Sequence, residues 1–295
     1  MLDISELKTL RDFIRWAVSQ FNQAGLYFGH GTETAWDEAV ALVLHALYLP
    51  HDINPAVLDA HLIQKEREIL YKLIQRRVNE RVPLAYLTHE AFFAGLPFYV
   101  DERVLIPRSP IAELIENQFQ PWVDADSVHH ILDLCTGSGC IAIACAKAFP
   151  DAQVDASDIS AEALAVAKMN VLRHQVEDQV HLHQSDLLTT VPAKKYDIIV
   201  SNPPYVDVED MASLPQEYLH EPQLALAAGT HGIDFAVQIV QNAHRYLTPN
   251  GILIVEVGNS EHAFAEHFPD LPLTWLEFNQ GGGGVFLLTA KQLKP

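Results

Sequence analysis

A chain of 295 residues, 49% hydrophobic and 19% charged, is long enough for a large core and falls outside the disordered class, whose chains lack apolar surface to offset chain entropy. Its formal charge of −19 weighs against a nonspecific grip on nucleic-acid phosphate and suits a basic protein partner. Its three cysteines, Cys135, Cys140 and Cys145, match neither a disulfide framework nor a zinc pattern, which points to a reducing compartment.

No cleavable apolar run follows Asp3 and Glu6, and no stretch approaches the roughly 18 apolar residues of a bilayer span. The expectation is a cytoplasmic protein with no membrane partner.

The first part reads as helical. Leu7, Leu10, Ile14, Ala17 and Phe21 recur on one helical face. Gly25, Gly29 and Gly31 interrupt it, and Thr34 is placed to cap a second helix carrying Val40, Val43, Leu44 and Leu47, ended by Pro50. Asn54-Pro55 is a restart signal. A longer helix is expected from about His61 to Asn79, with Ile69, Leu70, Leu73 and Ile74 inward. Lys65, Arg67, Lys72, Arg76, Arg77 and Arg81 make it basic. The plainer reading is a solvated face paired with Glu66, Glu68 and Glu80; the sharper one is a contact for RNA phosphate or an acidic surface on a partner. Residues 1–82 are expected to form a small helical domain, with Tyr27-Phe28 in its core.

Residues 83–106 read as a linker with a short hairpin, built on Phe92, Phe93, Leu96, Phe98, Val100 and Val104 around Gly95. Phe92-Phe93 are expected in the core. Within Leu105-Ile-Pro-Arg-Ser-Pro110, Ser109 can cap and Pro110 start a helix through Ile111, Leu114, Ile115 and Phe119. Arg108 is either a surface charge or a residue facing a ligand.

After Asp124 strands and helices alternate. Strands are read at 130–134, 153–157, 179–184, 197–200 and 251–256, and helices at 140–149, 161–174, 232–246 and on through His267. A tail of two strands, 273–278 and 285–289, closes as a hairpin around Gly281–Gly284. Such alternation predicts an α/β fold for residues 107–295, a doubly wound, mostly parallel sheet. Ligands of these sheets bind at the carboxyl ends of the strands.

Two motifs fall at those ends. Asp133-Leu-Cys135-Thr136-Gly137-Ser138-Gly139 joins the first strand to its helix. Its glycines permit a tight turn and close approach of a ligand, and the helix start offers free N–H groups. The loop also fits the loose dinucleotide fingerprint, so alone it admits a nicotinamide cofactor or S-adenosylmethionine. Asp158 ends the second strand, where a carboxylate can accept from both ribose hydroxyls or cap the next helix in competition with Ser160. Asp186, after the third strand, either accepts from an adenine amine or serves the loop; Leu187 would pack on the ring. The second motif is Ser201-Asn202-Pro203-Pro204-Tyr205, following Tyr196–Val200. Each proline lacks an N–H and biases its predecessor toward extended backbone. Stiff acceptors beside an aromatic ring suit a planar amine, either an amide or a base edge.

Taken together, these motifs resemble the class I S-adenosylmethionine-dependent methyltransferases, and more narrowly the family that methylates the side-chain amide of protein glutamines. The resemblance runs from about Arg81 onward and includes Pro83-Leu-Ala-Tyr86, Leu105-Ile-Pro-Arg108 and Asn202-Pro-Pro-Tyr205. It implies a seven-stranded sheet with a C-terminal antiparallel hairpin, preceded by a helical domain that helps to bind the protein substrate. Release-factor enzymes of the family follow Ile-Pro-Arg with Pro-x-Thr-Glu. Here Ser109-Pro-Ile-Ala-Glu113, Tyr205–Met211 and Leu214–Pro222 are instead similar to the branch that modifies large-subunit ribosomal protein three, free or in a ribosome precursor.

The resemblance assigns the methyl donor to Asp133, Cys135, Thr136, Gly137, Ser138, Gly139, Asp158, Asp186, Leu187 and Asn202. It assigns the acceptor amide to the Asn202 side chain and the Pro203 carbonyl, with Pro204, Tyr205 and Arg108 around it. Two acceptors on the amide N–H groups orient its nitrogen and favour the charge that builds there. An adenine-amine methyltransferase uses a similar motif on a flipped base, but the acidic charge gives no reason to expect DNA. A nicotinamide-dependent oxidoreductase would share the glycine loop, yet nothing in the chain resembles its catalytic pair. A noncatalytic assembly factor would bind ribosomal protein and use the cofactor only for stability. His181, His183 and the pair His129-His130 form no metal motif.

Overall fold

The structure is a computed structural model that describes residues 4–279 and 281–293. Asp3 and the outer ends of the first and last expected domains lie outside them. The chain divides into two units. One is built from the chain through Glu90 together with Pro215–His220, the other from Ala91–Leu214 and Glu221 onward.

In the helical unit, α1 (Leu10–Ala24) opens on a capping box between Thr9 and Asp12 and ends at Gly25 in the left-handed conformation. Its buried stripe is Leu10, Phe13, Ile14, Trp16, Ala17 and Phe21. α2 (Ala35–Ala46) is capped by Thr34. Asn54 caps only a short 3-10 turn, Pro55–Asp59, and α3 then runs Gln64–Asn79. A further helix, α4 (Leu84–Thr88), extends this unit past residue 82.

The inward face of α3 corrects the sequence reading. Leu70, Ile74 and Arg77 are buried, whereas Ile69 is exposed. Arg77, 1% exposed, does not belong to a solvated face. Its Nε donates to Glu38 Oε1 at 2.5 Å, its Nη1 to Glu217 Oε1 at 3.2 Å and its Nη2 to the Tyr27 carbonyl at 2.9 Å. Arg81 donates to the carbonyls of Ala24 and Gly25 as well as to Glu217. Two of the six basic residues are therefore struts within the unit, and Glu217 joins Pro215–His220 to it together with His220 on the Glu80 carbonyl and the Tyr218 ring against Tyr27 and His30. Tyr27 is exposed, not core.

In the second unit, β1 (Ala91–Phe93) and β2 (Leu96–Phe98) pair antiparallel across Ala94-Gly95. Both turn residues have positive φ, 46° and 71°, the geometry that follows strand twist in a two-residue hairpin. Phe93 is buried, but Phe92 points outward, because alternate strand residues face opposite sides. α5 is short, Ile111–Glu116, and stops before Phe119, whose φ is 54°.

The sheet strands are β3 (His130–Leu134), β4 (Gln153–Asp158), β5 (Val180–Gln184), β6 (Tyr196–Ser201), β7 (Leu247–Glu256), β8 (Thr274–Trp275) and β9 (Val285–Thr289). Their order is β5-β4-β3-β6-β7-β9-β8. The first five are parallel; β9 runs antiparallel to both β7 and β8. The helices are α6 (Cys140–Ala148), α7 (Ala161–His174), α8 (Val208–Ser213), α9 (Asp234–Ala243) and α10 (Glu261–His267).

Side chains alternate between two cores. Ile131, Ile198, Ile252 and Ile254 pack on one face, and Leu132, Ile199, Leu253 and Val255 on the other. Strand order reverses between β3 and β6, so the crevice at the carboxyl ends of these two strands is the topological switch point.

Candidate functional site

A cavity of about 250 Å³ opens in the second unit at the switch point. It is lined by Cys135 and Gly137 after β3, Asp158 at the end of β4, Asp186 and Leu187 after β5, and Asn202 and Pro204 after β6. Seven residues singled out in the sequence thus share one cavity. Asp133, Thr136, Ser138, Gly139, Pro203, Tyr205 and Arg108 do not line it.

Asp133 and Thr136 shape the loop from behind. The buried Asp133 Oδ2 accepts from Thr136 Oγ1 at 2.6 Å and from the Ala142 N–H at 3.1 Å, tying the end of β3 to the first turn of α6. Burial pushes the Asp133 carboxyl up to about 7. The loop needs left-handed backbone at Cys135, Gly137 and Gly139. At Gly139 a side chain would also crowd Ala167 of α7.

Asp158 lies across from this loop. Its Oδ2 accepts from the Gly137 N–H and its Oδ1 from the Ser160 N–H, both at 2.9 Å. Ser160, not Asp158, caps α7 by accepting from Ala163. Burial raises the Asp158 carboxyl above its ordinary range. Asp186 is exposed at the cavity wall, and Leu187 is held with φ 46°.

Asn202 Oδ1 is buried and has no hydrogen-bond partner. An unpaired buried acceptor costs about 1–3 kcal/mol, recovered when a ligand N–H reaches it. Tyr205 donates from its hydroxyl to Glu256 Oε1 at 3.0 Å, and its carbonyl accepts from Ser260 Oγ at 2.9 Å.

Arg108 is committed to the protein. It makes a two-pronged pair with the buried Glu221 at 2.5 and 2.8 Å, while Glu221 also accepts from the Ile106 N–H at 3.0 Å. The pair joins the segment carrying Val104 and Leu105 to the one carrying Pro222, Leu224 and Ala225, all of which line the cavity. Arg108 therefore acts here as a clasp on the cavity wall.

Sequence reasoning missed Glu221, Glu256, Leu224 and Phe235. Glu256 had one signal, a carboxylate ending an otherwise apolar strand. Glu221 and Leu224 lie in a stretch of short 3-10 turns without periodicity, and Phe235 stands in the first turn of α9, off its buried stripe of Ala236, Ile239, Val240 and Ala243.

Glu256 also gives the fold a pH dependence. Burial pushes its carboxyl from the ordinary 4.5 up to about 7, against the stabilising bonds from Ser109 and Tyr205 and the field of Arg108. The folded protein holds this proton through a range in which the unfolded chain releases it. The contribution to stability is therefore complete below about pH 4.5 and is lost as pH rises through 7, a span of roughly 3 kcal/mol. Urea unfolding of Glu256→Gln across pH 5–8 is expected to show a flatter stability profile and a gain above pH 7. An unchanged slope would remove Glu256 as its source.

Residues 117–232 match the family model described as methyltransferase small domain. The solved catalytic domain of hMettl16, in complex with the MAT2A 3'UTR hairpin 6, is 16% identical with a TM-score of 0.52, covering 81% of this chain and 86% of that one. At that identity it shows the fold. A ribosomal protein uL3 glutamine methyltransferase of Francisella tularensis subsp. tularensis is 51% identical over 98% of this chain and 93% of its own length. Another protein with that name, from Neisseria gonorrhoeae, is also 51% identical, over 98% of this chain and 96% of its own. With such identity along nearly its whole length, the chain belongs to the family of ribosomal protein uL3 glutamine methyltransferases.

Proposed function

We propose that this enzyme transfers the methyl group of S-adenosylmethionine to the side-chain amide nitrogen of a glutamine in ribosomal protein uL3. The observation that carries the reading is the buried, unpartnered Asn202 Oδ1 in the wall of a cavity that also presents Asp158 and Asp186.

The cavity residues fit the donor. Asp158 would hold the ribose hydroxyls, Asp186 the adenine amine and Leu187 the ring, with Cys135 and Gly137 along the remainder. When bound, S-adenosylmethionine supplies a methyl group already activated on a sulfonium. The protein's task is to present the nitrogen. Asn202 Oδ1 and the Pro203 carbonyl accept the two amide N–H groups, and Tyr205 packs over the amide plane. With the donor bound, formation of the N–C bond would be matched by cleavage of the donor's C–S bond, and the nitrogen would then lose a proton to solvent. No strong base is required for a proton lost after the transfer.

The charge of −19 suits a basic ribosomal protein met in the cytoplasm, free or within a ribosome precursor. A ribosomal RNA contact through α3 rests on its exposed Lys65 and Lys72, because Arg77 and Arg81 are engaged internally.

Incubation with labelled donor and either uL3 or duplex DNA tests the reading. Label is expected on one glutamine of uL3; label on adenine, or on neither, overturns it. In the same assay Asp158→Ala is expected to weaken donor affinity roughly 10- to 100-fold, the loss of charge-assisted hydrogen bonds. Unchanged affinity by calorimetry would leave Asp158 a purely structural loop residue.

A further inference from the structure

β7 ends in a buried carboxylate. Glu256, 4% exposed, follows the fully buried Ile252–Val255 at the carboxyl edge of the sheet. Its two oxygens serve different segments. Oε1 accepts from the Tyr205 hydroxyl at 3.0 Å, and Oε2 from the Ser109 hydroxyl at 2.5 Å. Ser109 Oγ itself accepts from the Ile111 N–H at 3.2 Å, which directs its proton toward Glu256.

Tyr205 is fixed at three places. Its carbonyl accepts from Ser260 Oγ. Its ring lies over Gly258, where φ is 46° and where any Cβ would collide with the ring. The far end of the ring is tied to Glu256. Gly258 follows Glu256 by two residues, so one short segment provides both the floor under the ring and the stop at its hydroxyl.

We propose that Glu256 is a positioning residue for methyl transfer: through the Tyr205 hydroxyl it sets the ring against which the acceptor amide packs. The inference rests on the proposed function, in which Tyr205 covers the glutamine amide. Small misplacements of a group that orients a reactant are costly in rate, and precise sites are held by a second layer of hydrogen bonds.

What Glu256 supplies to Tyr205 is an acceptor oxygen, not a charge. The carboxylate accepts from both hydroxyls. The acid still accepts from Tyr205 at one oxygen and donates to Ser109 at the other. A glutamine can do the same, with its carbonyl toward Tyr205 and its amide toward Ser109.

Steady-state kinetics on uL3, with calorimetry of donor binding, test this in Glu256→Ala, Glu256→Gln, Tyr205→Phe and the Glu256→Ala/Tyr205→Phe pair. Glu256→Ala and Tyr205→Phe are each expected to lower kcat about 10- to 100-fold, with the donor Kd changed less than about twofold. The double variant is expected to fall no lower than the worse single, since both break one link. Glu256→Gln is expected to recover kcat to within about threefold of wild type. Wild-type kcat in Glu256→Ala, additive losses in the pair, or a loss in Glu256→Gln as deep as in Glu256→Ala each overturns the proposal. Should Glu256→Ala not fold, Tyr205→Phe and Glu256→Gln decide it, because an undiminished kcat in Tyr205→Phe also overturns it. Failure of the underlying reading looks different: wild-type enzyme would then leave uL3 unlabelled.

Discussion

Asn202→Ala is expected to lower methyl transfer to uL3 by about 100-fold or more while donor affinity stays near wild type. The size follows from losing an acceptor aimed at the reacting nitrogen, comparable to deleting one preorganised hydrogen bond around a developing charge. An amide nitrogen is a weak nucleophile, because its lone pair is shared with the carbonyl. An acceptor drawing on its N–H both orients the lone pair and favours the positive charge that builds as the methyl arrives.

The structure gives that acceptor no competing partner, since Oδ1 is buried and unpaired. Folding is therefore not expected to suffer: alanine removes an unsatisfied oxygen, and the melting temperature should hold or rise. Loss of turnover with intact stability and donor binding is the signature. Turnover within about threefold of wild type would take Asn202 out of the chemistry.

The second large effect concerns stability. Arg77→Ala is expected to cost about 3–5 kcal/mol of unfolding free energy, because it leaves the buried Glu38 without its cation and the buried Glu217 with Arg81 alone. Arg77→Met fills similar volume and loses the same charge, so it should also be strongly destabilising. Arg77→Met with Glu38→Gln and Glu217→Gln should regain much of that loss, since replacing a whole buried ionic set by neutral groups is often tolerated. Urea unfolding of the four proteins measures each step. A cost below about 1 kcal/mol for Arg77→Ala would mean that water reaches the carboxylates when the cation is removed.

This ion pair also shows what the sequence made legible. Alternating strands and helices gave the second unit, and α7 begins and ends at the expected residues, Ala161 and His174. α4 was missed because its Leu84, Ala85, Tyr86 and Leu87 are all buried, leaving no period to read. On α3 the signal was present but misassigned. Leu70, Ile74 and Arg77 sit at i, i+4 and i+7, so Arg77 lies on the apolar stripe and Ile69 beside it. Glu38 lies likewise among the buried positions of α2, next to Ala39 and one turn from Ala35 and Leu42. A lone charge on the inner stripe of each of two helices is a readable sign of a buried pair. Glu217, far along the chain, carries no such sign.

The candidate site divides in the same way. The glycine loop, Asp158, Asp186 and Asn202 each stand at the end of a strand, where topology alone brings them together. Glu256, Glu221 and Ser109 act through partners distant in sequence, and a linear pattern does not encode those pairings.

The path of Pro215–His220 bears on how the molecule can be divided. The chain leaves the helical unit after Glu90, returns to it for these six residues, and departs again at Glu221. A cut between residues 90 and 91 consequently yields fragments that do not coincide with the folded units. The larger fragment retains Glu217 without Arg77, and the smaller retains Arg77 with Glu38 alone. A catalytic fragment made by trimming the amino-terminal helices carries a surface strap meant for something no longer there; bridging Leu214 to Glu221 with a short linker removes it and follows the boundary the fold itself draws.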